Sequence, residues 1–165
     1  MSAIFYGSST GNTESAAKEI AKNLGIQEVF DIAKEGAAKI EQYEKIILGT
    51  STWGSGDLQD DWDDEWATFK EIDFKGKTVA LFGLGDQECY GDNYLDAMGS
   101  IYEVVVKNGG IVVGEWSSEG YIHDASAAEI EEGYFVGLAL DEDNESELSA
   151  SRIEQWCSQI KEKII

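Results

Sequence analysis

The chain has no proline among its 165 residues, one histidine, two cysteines, and 12 bases against 33 acids. Each scarcity removes a class of explanation. Cys89 and Cys157 are far apart and form no C-x-x-C pair, and His123 stands alone, so neither metal-ligand spacing nor a disulfide framework is present. No apolar run approaches the ~20 residues that a bilayer-spanning helix needs. The first strand-like run starts at Ala3 with no signal-like segment before it, so a cytoplasmic protein is expected. Bases are absent from Thr78 to Val106 and from Asn108 to Ser151, and the net charge is −21. Such a surface repels nucleic acid and anionic membranes; it serves solubility or, where the acids concentrate in a few loops, attraction of basic partners.

What is present alternates. Ala3 to Tyr6, Glu28 to Ile32, Lys45 to Thr50 and Thr78 to Phe82 read as strands. Apolar residues at helical spacing follow in Ala16, Ala17, Ile20, Ala21 and Leu24, which Gly25 closes, then in a short helix from Ala37 to Tyr43 and a longer one from Tyr94 to Lys107. The last third holds two strand-like runs, Ile111 to Trp116 and Phe135 to Leu140. A helix with Ile153, Trp156, Cys157, Ile160 and Ile164 on one face ends the chain, with Ser151 and Glu154 as its capping box. The length suits one domain, 1–165, and strands apolar throughout between amphipathic helices predict a parallel sheet covered on both faces. Ligands of such sheets bind beyond the carboxyl ends of the strands, where strand order reverses.

Three loops lie at those ends. The first, Ser8-Ser9-Thr10-Gly11-Asn12-Thr13, opens a helix, where unpaired N–H groups and the macrodipole favour an anion. A triphosphate loop needs a Lys beside its Ser/Thr, and Asn12 stands there instead. Four hydroxyls, an amide and backbone N–H groups suit one phosphate held by neutral donors; taken alone, a plain helix cap explains the loop equally well. The second loop, Thr50 to Trp62, contains the segment Thr50 to Leu58, and the third runs from Gly83 to Asn93; each of these two segments brings one aromatic residue among small and polar ones, Trp53 or Tyr90. Two aromatics beside a phosphate site suit a flat ring with a single-phosphate tail, a description that flavin mononucleotide (FMN) meets. Gly83-x-Gly85 lacks the third glycine of the dinucleotide fingerprint, which disfavours NAD.

These segments, in order and spacing, resemble the flavodoxins over nearly the whole chain: the hydroxyl loop, Thr52-Trp53-Gly54 with Gly56, Leu58 and Gln59, Gly85-Asp86-Gln87 with Tyr90 and Asp92-Asn93, and Leu140-Asp141-Glu142-Asp143-Asn144. Ser117 to Tyr134 resembles the insertion of the long-chain branch, and Cys89 departs from the glycine usual before the stacking tyrosine. The resemblance implies an α/β fold, a doubly wound five-stranded parallel sheet of order 2-1-3-4-5 with helices on both faces and an insertion in the fifth strand. It implies phosphate contacts from Ser8, Ser9, Thr10, Gly11, Asn12 and Thr13, ring stacking by Trp53 and Tyr90, and ring-edge bonds from the backbone of Thr52, Gly54, Gly85 and Gln87. Ser51 and Leu84 complete the implied cofactor-binding set, and ribityl contacts fall to Asp86, Asn93 and Asp143.

The implied function is a low-potential one-electron carrier cycling non-covalent FMN between semiquinone and hydroquinone, with no catalytic residues and no metal. Gly54 permits a peptide flip toward flavin N5. The acids Asp57, Asp60, Asp61, Asp63, Asp64, Glu65, Asp86, Glu88 and Asp92 disfavour added negative charge. One carboxylate about 10 Å away at effective dielectric ~20 contributes about 1.7 kcal/mol before screening. The implied partners, met by a monomer through its acidic face, are a flavin-containing NAD(P)H reductase and iron–sulfur oxidoreductases. An FMN-dependent NAD(P)H:quinone oxidoreductase is the alternative on the same fold, although no extra segment is present to build its pocket.

Overall fold

The computed structural model describes residues 1–53 and 56–165. The first half runs β1 (Ser2–Tyr6), α1 (Asn12–Leu24), β2 (Val29–Asp31), α2 (Ile32–Glu35), β3 (Lys45–Trp53), β4 (Asp57–Leu58), α3 (Asp60–Asp64) and α4 (Trp66–Phe69). The second runs β5 (Thr78–Leu84), α5 (Asp96–Lys107), β6 (Ile111–Val113), β7 (Trp116–Ser117), β8 (Tyr134–Phe135), β9 (Leu138–Leu140) and α6 (Ser149–Ile164).

The sheet is ordered β2-β1-β3-β5, and its fifth position is shared by β6 and β9, both parallel to β5. Ile111 to Val113 pair with Thr78 to Ala80, and Leu138 to Leu140 pair with Phe82 to Leu84. The expected 2-1-3-4-5 order is therefore present, with the insertion dividing the last strand.

Strand alternation sorts the core into two layers. Ile4, Ile47, Ala80 and Phe82 face α1 and α6, where Ala17, Ile20, Ile153, Trp156 and Ile160 cover them. Phe5, Leu48 and Leu81 face the other way, under Trp62, Phe69, Met98, Ile101 and Val105. Close packing dictates some residue choices outright: a Cβ at Gly49 would lie 2.0 Å from Phe82 Cζ.

Several local expectations shift. The short helix expected from Ala37 to Tyr43 is present as a 3-10 helix, Ala37–Gln42, one residue shorter. The run from Ile111 leaves the sheet at Gly114 (φ +86), where Trp156 and Ile160 pack close and the Trp156 indole N–H donates to the Gly114 carbonyl at 2.8 Å. The run from Phe135 divides in the same way, since Val136 N donates to Ala128 O. Trp116–Ser117 and Tyr134–Phe135 instead form a separate antiparallel hairpin. Ser151 and Glu154 do not cap α6. A 3-10 turn at Ser146–Leu148 feeds directly into that helix, leaving no extended cap position, and Ser151 Oγ accepts from Gln155 within the helix. The helix expected from Tyr94 starts at Asp96, because Leu95 is left-handed (φ 61).

Candidate functional site

The loop after β1 sits under a lid of side chains from the start of α3. A Cβ at Gly7 would lie 2.2 Å from Gln59 Oε1 and 2.7 Å from Trp62 Cδ1, so only glycine fits. Gly7 N and Trp62 Nε1 both donate to the Gly49 carbonyl, at 3.2 and 2.9 Å, which fixes where the loop leaves the sheet. Ser8 Oγ accepts from Gly11 N at 3.1 Å, and Ser9 Oγ accepts from Gln59 Nε2 at 3.0 Å. Gly11, at φ 93, is the N-cap residue of α1 and supplies no side-chain cap. The first-turn amides of α1 thus keep their donor capacity. The plain-cap reading of this loop fails on that point.

β3 carries Thr50, Ser51, Thr52 and Trp53 to the same end of the sheet, and Thr52 Oγ1 accepts from Ala97 N at 3.0 Å. β4 pairs back on Thr52 and Trp53, which leaves the Trp53 side chain 41% exposed. Gly54, the expected flip residue, lies outside the described residues.

After β5, Gly85 N donates to Leu140 O, and Asp86 Oδ1 accepts from the backbone of Glu88 and Cys89, closing a tight turn that presents Tyr90 half exposed. Gln87 points away from the opening. Its amide N donates to Asp141, its Nε2 to Glu145, and its Oε1 accepts from Ile122 N in the insertion at 2.7 Å. Asn93 donates to Asp96 Oδ2. The insertion also bonds the back of this loop through Asp124 N and Ala125 N, both on Gly91 O.

The three loops enclose a cleft of about 340 Å³ lined by Thr10, Asn12, Thr13, Ser51, Thr52, Trp53, Leu84, Gly85, Asp86, Tyr90, Glu142 and Asp143. Most of the expected contact residues meet there. Ser8, Ser9, Gly11, Gln87 and Asn93 are not among its lining residues: Gln87 is buried, whereas Ser9 and Gly11 are exposed next to Thr10 and Asn12 at its edge. Glu142 lines the cleft without having been singled out by the sequence, although it lies in the Asp141-Glu142-Asp143 run. Gln59 was legible only as part of a motif.

The electrostatics differ among the acids. Asp86 is pushed up by partial burial, but bonds from Cys89, Asn144 and Glu88 outweigh this and hold its carboxyl below the usual range. Asp143 is raised by burial and by Asp86, Asp141 and Glu142. The hydrogen bond to Asp86, with the charges of Asp86 and Glu88, likewise raises the Cys89 thiol. A larger cleft, about 580 Å³, lies between α6 and the β7–β8 hairpin and contains none of the expected residues. Among the described residues no cluster of His, Cys, Asp or Glu suits a metal ion.

A family model described as flavodoxin matches residues 4–156. The chain is 48% identical over 163 residues to the flavodoxin of Haemophilus influenzae, covering 98% of this chain and 94% of that one. It is also 48% identical to Flavodoxin 1 of Escherichia coli K12, covering 98% and 93%. The crystal structure of Fusobacterium nucleatum flavodoxin bound to flavin mononucleotide superposes with a TM-score of 0.92 at 37% identity, covering 99% and 98%. With an uncapped helix end, two exposed aromatics and a divided fifth strand around that cleft, the chain belongs to the flavodoxin family.

Proposed function

We propose that this chain is a one-electron carrier that holds FMN non-covalently in the cleft between its three loops and passes electrons between redox proteins. The carrying observation is the pairing of an anion-ready helix end, open at Gly11, with Trp53 and Tyr90 exposed beside the same cleft. When bound, FMN supplies the one-electron chemistry; the chain contributes binding and electrostatics. The amides and hydroxyls of Ser8 to Thr13 hold the phosphate. Trp53 and Tyr90 cover the ring and exclude water from its faces, while the open mouth leaves an edge for electron transfer. Asp86, Glu142 and Asp143 on the walls oppose added negative charge, which lowers the potential for the last electron.

The chain meets its partners as a monomer through the acidic residues of α3 and the Tyr90 loop, and the partners are a flavin-containing NAD(P)H reductase and iron–sulfur oxidoreductases with basic faces. Two free cysteines, Cys89 exposed and Cys157 buried, fit a reducing compartment such as the cytoplasm. The deciding test is to add FMN, FAD and riboflavin separately to the flavin-free chain and follow the flavin absorbance and fluorescence. One FMN per chain, bound more tightly than riboflavin, is expected; a preference for FAD, or no binding, overturns the reading.

A further inference from the structure

Gln59 is completely buried, and every hydrogen-bonding position of its side-chain amide is used. Its Oε1 accepts from Asp61 N at 3.1 Å and Trp62 N at 3.3 Å, capping α3. Its Nε2 donates to Asp61 Oδ2 at 2.9 Å and to Ser9 Oγ at 3.0 Å. The amide orientation follows from these partners, because reversing it would set the carbonyl against a carboxylate and the NH2 against two N–H groups.

The consequence falls on Ser9. A hydroxyl has one proton to give and two lone pairs to offer. With Gln59 donating to the oxygen, a lone pair is engaged and the proton is left for another acceptor. Ser8 is treated in the same way by Gly11 N. In a loop whose hydroxyls and amides must all act as donors toward an anion, this polarity is what an unassisted serine lacks, since its proton can turn to any nearby carbonyl.

We propose that Gln59 is a positioning residue that commits the Ser9 hydroxyl proton to a phosphate monoester bound in the loop. The inference rests on the reading of that loop as the FMN phosphate site. Gln59 acts through Ser9 and touches no ligand itself, and glycine at position 7 is the space it requires.

The test is a double-mutant cycle on the full chain, with Gln59→Met, Ser9→Ala and the double variant, titrated with FMN and, separately, with riboflavin, which lacks the phosphate. Each single variant is expected to lose about tenfold in FMN affinity, the size of one hydrogen bond to a charged group, and less than about twofold for riboflavin. The double variant should be no worse than either single one. Gln59→Glu made together with Asp61→Asn keeps the acceptors for the α3 amides, sets no two carboxylates together and cannot donate to Ser9; it should lose at least as much FMN affinity as Gln59→Met, whereas Asp61→Asn alone should lose less than about twofold. Equal losses for FMN and riboflavin would make Gln59 a brace of the fold only, and additive losses in the double variant would separate it from Ser9; either overturns the proposal. A wild-type chain that binds riboflavin as tightly as FMN overturns both this proposal and the phosphate reading beneath it.

Discussion

Asn144 places its side-chain nitrogen 2.8 Å from Asp86 Oδ1 and 2.9 Å from Asp141 Oδ2, so one neutral amide stands between two carboxylates at the ends of β5 and β9. Asp141 is fully buried and also accepts from Gln87 N and Asn144 N. The floor under the Tyr90 loop is therefore a polar network in which neutral donors satisfy the Asp86 and Asp141 carboxylates.

Two neighbouring acids should respond oppositely to pH. The folded-state value of Asp86 lies below its ordinary 3.8, so it contributes stability above that pH and loses it as pH falls through the depressed value. Asp86→Asn should cost about 1–2 kcal/mol at neutral pH, and the cost should vanish once the wild-type carboxyl is protonated. Asp143 is raised above 3.8, so its favourable contribution exists below that pH and is lost as pH rises through the raised value. Asp143→Asn should leave the chain slightly more stable at neutral pH, by less than about 0.5 kcal/mol, with no gain in acid. Urea unfolding of the flavin-free chain across a pH series measures both.

Trp53 and Tyr90 are 41% and 50% exposed, so truncating either should barely change folding. Each truncation to Ala should weaken FMN binding by about 10- to 100-fold, through lost apolar contact and stacking. Fluorescence titration with FMN checks this, and equal losses for inorganic phosphate would remove the stacking assignment.

Neutralising Asp60, Asp63 and Asp64 should slow association with a basic redox partner by roughly tenfold at low salt and flatten the salt dependence. Asp61 is left intact because Gln59 donates to it. The comparison variant loses Glu147, Glu154 and Glu162, which lie on or next to α6, on the opposite layer of the sheet from α3. Stopped-flow electron transfer over a salt series separates the two, and equal slowing would move the docking face elsewhere.

Gly137→Ala should destabilise the chain by roughly 2–4 kcal/mol, because the new Cβ would lie 2.1 Å from the Leu81 carbonyl oxygen, a backbone atom that cannot turn aside. Gly120→Ala meets no atom within 4 Å and bears only its positive φ, so it should cost about 1 kcal/mol. Thermal unfolding of the two variants gives the difference.

The sheet was legible because Ile4, Ile47 and Leu81 belong to apolar runs too short for helices, and the site because its loops carry their chemistry in consecutive residues. What escaped depends on distant parts of the chain. The two-residue β4 exists only through its pairing with Thr52 and Trp53. The break at Gly114 packs against Trp156, and the orientation of Gln87 comes from Ile122 and Glu145. Ser151 and Glu154 satisfy the capping spacing, but the preceding turn already has helical backbone at Leu148 (φ −95, ψ −12), which overrides it. Local patterns predict elements; they do not report what packs against them.

The division of the fifth strand also shapes how the molecule behaves in a crowded solution. At one margin of the sheet β5 is met only by the three-residue segments β6 and β9, and at the other β1 is met by the three residues of β2. A foreign strand laid along either margin finds no extended row of unpaired amides and carbonyls to template on. The brevity of the outermost strands thus leaves little template for fibrillar stacking, and mutual repulsion of the carboxylates adds a second barrier.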